Sequence, residues 1–212
     1  LAFVLKNHAS DLLLDTYQDE RAPIAKRNIE WSTTNAKRFF DIFKAIQTGD
    51  DELLKIKLEE QQKNLNYEGL DLGFIYHSKA VQSENDQVMS VLPDQYIPTT
   101  LPGSRAPYLK LMKDGKYFSI LDLFNKEYIL LVASQGQKWQ ESLKEWGSLF
   151  PIKCYRIASD GDFSDPTNHW HTIYEITENG AVLVRPDGHV AWRSKDMVDD
   201  PKSVFSHIFQ TL

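Results

Sequence analysis

Sulfur, imidazole and carboxylate are the groups through which this chain could do chemistry, and their spacing is restrictive. There is one cysteine, Cys154. It can form no internal disulfide and no CxxC pair. It falls inside segment 152–157, which reads as a strand, where a buried thiol packs as a small apolar group. His169 and His171 flank Trp170, with Asp160, Asp162 and Asp165 just upstream. A calcium loop fails on this spacing, because Asp165 stands where glycine is needed and His171 where glutamate is needed. Zinc would find two histidines on one strand face, without a helical HExxH or a cysteine partner. A solvated loop followed by surface histidines is the plainer reading. None of the ten glycines falls into GxGxxG, GxxxxGK[ST] or GxSxG, so these residues offer no dinucleotide fingerprint, phosphate loop or serine elbow. Glu20-Arg21 could be a salt-bridging docking element, or simply part of an exposed charged face with Tyr17 packed behind it.

Composition narrows the partners. The 212 residues are 42% apolar, 12% aromatic and 25% charged, with 24 Lys and Arg against 30 Asp and Glu and a net charge of −6. An acidic chain without basic clusters argues against nucleic acid, whose phosphates demand a positive stripe. No apolar run approaches the ~18 residues of a membrane span, and residues 1–5 are too short for a signal core. A single cysteine suits a reducing compartment, so a cytoplasmic protein is expected. The sequence opens without methionine, in what reads as the middle of an amphipathic helix. A processed chain or a piece of a longer one is expected.

The elements change character midway. Asp11 is placed to start a helix carrying Leu12, Leu13, Leu14 and Tyr17, which Pro23 interrupts or restarts. Ala36, Phe39, Phe40, Phe43 and Ile46 then recur at helical spacing, and a buried aromatic face is expected there. Thr48-Gly49-Asp50 ends this helix and caps another over 51–64. Residues 70–76 alternate like a strand. Between 78 and 107, prolines 93, 98, 102 and 107 mark a linker. Beyond it, 128–133 is a continuous apolar run, the mark of a strand buried on both faces. A helix over 137–150, a strand over 152–157, a loop, a short apolar-polar stretch around 170–176, a hairpin of 181–185 with 189–193, and a closing helix from Pro201 complete the order. Strand–helix–strand implies a parallel pair with a right-handed crossover, and the hairpin adds antiparallel strands. The expected class is α/β, a helical segment followed by a mixed sheet of thioredoxin type, divided as 1–77, linker 78–107 and 108–212. A redox site in such a fold needs a cysteine in the turn after the first buried strand. That turn, 134–139, contains no sulfur.

Four segments, in order, resemble one family, the FAD-dependent aromatic hydroxylases related to phenol and polyketide hydroxylases. Residues 12–25, LLLDTYQDERAPIA, are similar to the family's LLdtYxxERxPva helix. Residues 72–76, LGFIY, resemble its LGfrY strand. Residues 102–107, PGSRAP, with Asp114-Gly115 and 121–124, LDLF, resemble PGxRaPHxxl…dG…lDLfg, although Tyr108 stands where the family usually has histidine. Residues 182–193, VLVRPDGHVAWR, are close to vLVRPDGyvAWR.

This resemblance implies the C-terminal part of an NAD(P)H-using monooxygenase that hydroxylates electron-rich rings. In the family, FAD is held by motifs that precede the matched segments, so an N-terminal FAD-binding domain is the implied partner. Residues 1–5 look like the tail of the family's last flavin-contacting helix. No catalytic, cofactor-binding or metal residue is assigned within the 212 residues. FAD belongs to the parent enzyme, and none is expected to bind here. A homo-oligomer is possible, and neither nucleic acid nor membrane is expected. The alternative is a stand-alone thioredoxin-like interaction or dimerisation module without redox activity. A one-cysteine peroxidase is the third reading, decided by the ionisation of Cys154.

Overall fold

The computed structural model describes residues 1–62, 65–84, 92–124, 126–147 and 150–210. Its contacts group the chain into two compact units, one of 1–18, 75–87 and 98–212, the other of 19–74 and 88–97. This differs from the boundaries drawn on the sequence, which assign 1–18 to the helical segment and treat 98–107 as linker. The reason is tertiary. Phe3, in the one-turn helix α1 (Ala2–Leu5), packs edge-on against Tyr128 at 5.6 Å and beside Phe150 at 5.6 Å.

Helix α2 (Leu12–Thr48) begins among residues of the first unit and supplies most of the second. Pro23 does not break it. Proline removes one hydrogen bond and strains one turn, but a helix this long has many turns left to propagate. Its buried positions are Thr16, Glu20, Asn35, Ile42 and Ala45, whereas Phe39, Phe40, Phe43 and Ile46 face solvent. The expected aromatic core is therefore an exposed aromatic face. Gly49 takes a left-handed turn (φ 65°), and Leu53 N donates to the Asp50 carboxylate at 2.9 Å to cap α3 (Asp51–Gln62). Residues 63 and 64, the expected end of that helix, lie outside the described residues.

The expected strand over 70–76 is absent. Its first part is helix α4 (Glu68–Leu72). A neighbouring stretch of backbone explains the difference: Leu70 N donates to Pro93 O at 3.3 Å, and a Cβ on Gly69 would come within 1.6 Å of the Leu92 carbonyl oxygen. Only glycine lets those two backbones approach so closely.

In the first unit, β1 (Lys110–Lys113) and β2 (Lys116–Ser119) form a hairpin around Asp114-Gly115. Then come β3 (Tyr128–Val132), α5 (Gln137–Leu143), β4 (Ile152–Arg156), the one-turn α6 (Trp170–Tyr174), β5 (Ala181–Val184), β6 (Val190–Ser194) and α7 (Pro201–Gln210). A four-stranded mixed sheet runs β4-β3-β5-β6, with β3 parallel to β4 and antiparallel to β5, and β5 antiparallel to β6. Every residue of β3 and β5 is buried, as a strand with a packed layer on each face requires. Leu131, Val182, Trp170 and Tyr174 pack on one side, and Leu130, Leu183, Trp139 and Phe205 on the other. The proline-rich segment is not a free linker at its ends. Gln82 N donates to Ala191 O, Gly103 N to Val190 O, and Val190 N to Ser104 O, so it covers the outer edge of β6.

Candidate functional site

The turn after β3 is where a fold of this order would carry a nucleophile, and here it is closed by hydrogen bonds. Gln135 N donates to Glu178 O at 2.8 Å, and Gln135 Nε2 to the Glu178 carboxylate at 2.6 Å. Trp139, fully buried just behind the turn, donates Nε1–H to Asn179 O at 2.8 Å. Ser134, Gln135 and Gly136 supply neither an acid nor a base. Cys154 sits opposite Leu130 in the parallel register of β4. Burial pushes its thiol up to about 12, against a small opposing hydrogen bond with Gln140. A thiolate is the nucleophilic form of cysteine, and this shift keeps the half-buried group a thiol at neutral pH, which argues against the peroxidase reading.

The acidic loop after β4 spends its carboxylates on nearby backbone and side-chain donors. Asp160 pairs with Arg156 at 2.9 Å, and Asp162 accepts from Arg156 N at 2.8 Å. Asp165 accepts from Thr167 N at 2.8 Å, Thr167 Oγ1 at 2.6 Å and Trp170 N at 2.7 Å. His169 and His171 do not share a strand face. His169 precedes α6 and His171 lies within it, its Nδ1 3.2 Å from Ile176 O. Their short spacing suits a strand or a turn of helix equally, and the hydrogen bond from Trp170 N to Asp165 satisfies the first N–H of the helical turn. Among the described residues, no group of three or more His, Cys, Asp or Glu could hold a metal ion. A cavity of about 240 Å³, lined by Ser134, Ser159, Asp165, Asn168 and His171 among others, opens beside this loop.

Glu20 and Tyr17 exchange the roles expected of them. Tyr17 is 69% exposed, whereas Glu20 is buried. The packed-tyrosine reading therefore does not hold.

Two polar constellations went unnoticed in the sequence. Arg193, on β6, is buried and forks onto both oxygens of Glu84 at 2.9 and 2.7 Å. Its Nη1 donates to Glu175 at 2.9 Å and to Thr100 Oγ1 at 2.9 Å. Burial lowers the Arg193 pKa, but the two carboxylates outweigh it and raise the value above the ordinary one. Glu175 itself has φ 54°, a left-handed position uncommon outside glycine. The signal available was an arginine inside the apolar strand VAWRS, since a buried charge requires partners. At the β5–β6 turn, Arg185 pairs with Asp187 at 2.7 Å, while His189 lies 3.5 Å from that carboxylate and packs with its ring tilted against Tyr76 at 4.5 Å. Burial raises the Asp187 pKa, yet the hydrogen bond from His189 and the charges of Arg185 and His189 prevail and hold it well below the usual carboxylate range. Both constellations fasten turns and segment ends.

Comparison with known proteins gives the family. Residues 99–211 match the model of the family described as aromatic-ring hydroxylase, C-terminal. The chain is 32% identical over 97% of its length to 4-methyl-5-nitrocatechol 5-monooxygenase from Burkholderia sp.. The chain belongs to the aromatic-ring hydroxylase family. It is also 31% identical over 94% of its length to tetracenomycin A2 monooxygenase-dioxygenase from Streptomyces glaucescens. Among solved structures it matches the flavin-dependent monooxygenase PieE, determined with FAD and substrate, at a TM-score of 0.86, 25% identity and 99% coverage of the chain. Aklavinone-11 hydroxylase with FAD and aklavinone matches at a TM-score of 0.76 and 30% identity, again over 99% of the chain. The chain spans only 36% and 33% of those two curated relatives, and 41% and 37% of the two solved chains.

In this aromatic-ring hydroxylase segment, the turn between β3 and α5 does not offer the pyrophosphate of FAD a site. A pyrophosphate needs a glycine-rich strand-to-helix turn with free backbone N–H groups. The turn between β3 and α5 is instead stapled to Glu178, and a Cβ at Gly136 would meet Val132 and Ala133 rather than open space.

Proposed function

We propose that these residues are the C-terminal part of an FAD-dependent, NAD(P)H-using aromatic-ring monooxygenase, working in the cytoplasm beside an N-terminal FAD-binding domain. The observation that carries the reading is the alignment of 97% of this chain with just over a third of a full-length ring monooxygenase. When bound elsewhere in the protein, flavin supplies electron transfer and oxygen insertion; cofactors carry such chemistry and protein positions them. The contribution of this chain is positional. The sheet unit, a thioredoxin-like module without a redox group, gives a rigid body, and Arg193 fixes residues 84 and 100 against it through Glu84 and Thr100. No described helix is long and apolar enough to cross a membrane, which is in keeping with that setting.

The test is direct. The whole gene product should bind FAD near one per chain and consume NAD(P)H and O₂ when given an electron-rich phenol. The isolated 212 residues should bind none. A yellow, stoichiometrically flavinylated 212-residue chain would overturn the reading, as would a gene that encodes these residues alone.

A further inference from the structure

The segments that follow the two parallel strands leave the sheet on opposite faces. After β3 the chain enters α5, whose Trp139 and Leu143 pack on one face; after β4 it passes to α6, whose Trp170 and Tyr174 pack on the other. Parallel strands whose continuations part in this way open a crevice beyond their carboxyl ends, and open α/β sheets bind ligands in such crevices. Here the crevice is the cavity of about 240 Å³. Its walls are Ser134 after β3, Ile157 and Ser159 after β4, and Trp170 and His171 of α6.

The charged groups around it favour an uncharged ligand. Asp165 already accepts from Thr167 N and Trp170 N, while Arg156 pairs with Asp160 and donates to Ser134 O. Asp160, Asp162 and Asp165 are set against that one arginine, so an anion is repelled. Two hydrogen-bonding groups remain, and they are complementary. Trp170 is buried, and its Nε1–H has no partner among the described residues. His171 Nδ1 lies 3.2 Å from Ile176 O. A carbonyl only accepts, so Nδ1 carries the proton and Nε2 of the neutral ring is an acceptor. A donor and an acceptor lining one cavity match a hydroxyl, which is both. Ile157 and the Trp170 ring supply apolar surface for an aromatic ring. A cavity of roughly 150 Å³ is enough for benzene, so this one suits a single substituted ring.

We propose that this cavity binds a small uncharged aromatic molecule with a ring hydroxyl, a one-ring phenol, whose oxygen accepts from Trp170 Nε1 and donates to His171 Nε2. The site is built wholly from the sheet unit. It goes beyond the function proposed above and stands whether or not the flavin reading does.

The experiment titrates phenol into the ¹⁵N-labelled 212-residue chain and follows the indole N–H resonances, with Trp170→Phe identifying the Trp170 signal. Phenylalanine keeps an aromatic ring in place and removes a donor that has no protein partner. The Trp170 signal should move downfield and saturate with a Kd of about 1 mM, as suits so small a ligand. Toluene, the same ring without the hydroxyl, should bind about tenfold more weakly, because it forms neither hydrogen bond. Ligand-observed NMR should show about a tenfold loss of phenol affinity in Trp170→Phe. Ser159→Phe, which fills the cavity from an exposed position, should abolish binding. Should that variant fail to fold, Trp170→Phe and the difference between phenol and toluene still decide. A Trp170 signal unmoved by phenol on the order of 20 mM overturns the proposal. So does equal binding of phenol and toluene, or undiminished binding of phenol by Trp170→Phe. Acetate or inorganic phosphate that shifts the signal where phenol does not makes this an anion site, which overturns it as well. None of these outcomes bears on whether the whole gene product holds FAD, which tests the family reading separately.

Discussion

The sheet unit and the helical unit distribute the same residue types in opposite ways. Around the sheet, β3 and β5 are wholly buried and the aromatics Trp139, Tyr174 and Phe205 are enclosed. The one buried arginine there has a partner for each side of its guanidinium. In the helical unit, Phe40 and Phe43 face water while Asn35 and Gln61 are buried, and both ends of the Gln61 amide lack a hydrogen-bond partner among the described residues. The first pattern completes a core. The second leaves apolar side chains in water and an amide dry, and both cost free energy. Sequence composition is similar in kind; completeness differs.

That contrast can be broken most forcefully at Arg193. Arg193→Ala removes the fork shared by Glu84 and Glu175, whose side chains stay 29% and 40% exposed, so the loss is that of the charge-assisted hydrogen bonds and should be about 3 kcal/mol, read by urea unfolding. Arg193→Met, which fills the space, should recover part of it. Next in size, Leu130→Ala should cost about 3 kcal/mol, whereas Phe43→Ala in the 212-residue chain should stay within about 0.5 kcal/mol. Similar losses for the two substitutions would erase the distinction between the units. Gln61→Leu should stabilise the chain by about 1 kcal/mol, since it removes a desolvated amide without removing a bond.

Acid sharpens the comparison further. The Asp187 carboxyl titrates below its unfolded value of about 4, so its contribution is complete above that pH and is lost as pH falls toward the folded value. Asp187→Asn should therefore flatten the acid limb of stability for the sheet unit and lower stability at neutral pH, where the contribution of the carboxylate is fully present. The smallest effect concerns Cys154. With its thiol near 12, labelling by a disulfide reagent at pH 8 should be slow in the folded chain and fast in urea. Rapid labelling of the folded protein would reopen a redox role.

Legibility followed locality. The buried strands, the β5–β6 turn with Gly188 in the left-handed region and the closing helix α7 were readable, because each depends on neighbours within a few residues. The β1–β2 hairpin was legible only as Asp114-Gly115. Residues 70–72 alternate like a strand yet form a helix, since a second backbone arrives at Gly69 from residues 92–95. The sulfur-free turn at 134–136 was readable as chemically silent, but not its staple to Glu178, which lies 43 residues away from Gln135.

The amino-acid order alone determined which chemistry is missing, the alternation and apolar runs of the sheet, and the four segments that resemble ring hydroxylases. These are properties of residue type and short spacing. Tertiary structure decided which side of α2 is inside, which carboxylates hold Arg193, and that residues 1–18 and 98–107 group with the sheet. A helix with two apolar sides carries no internal instruction about which to bury. That choice is made by whatever surface arrives to cover it.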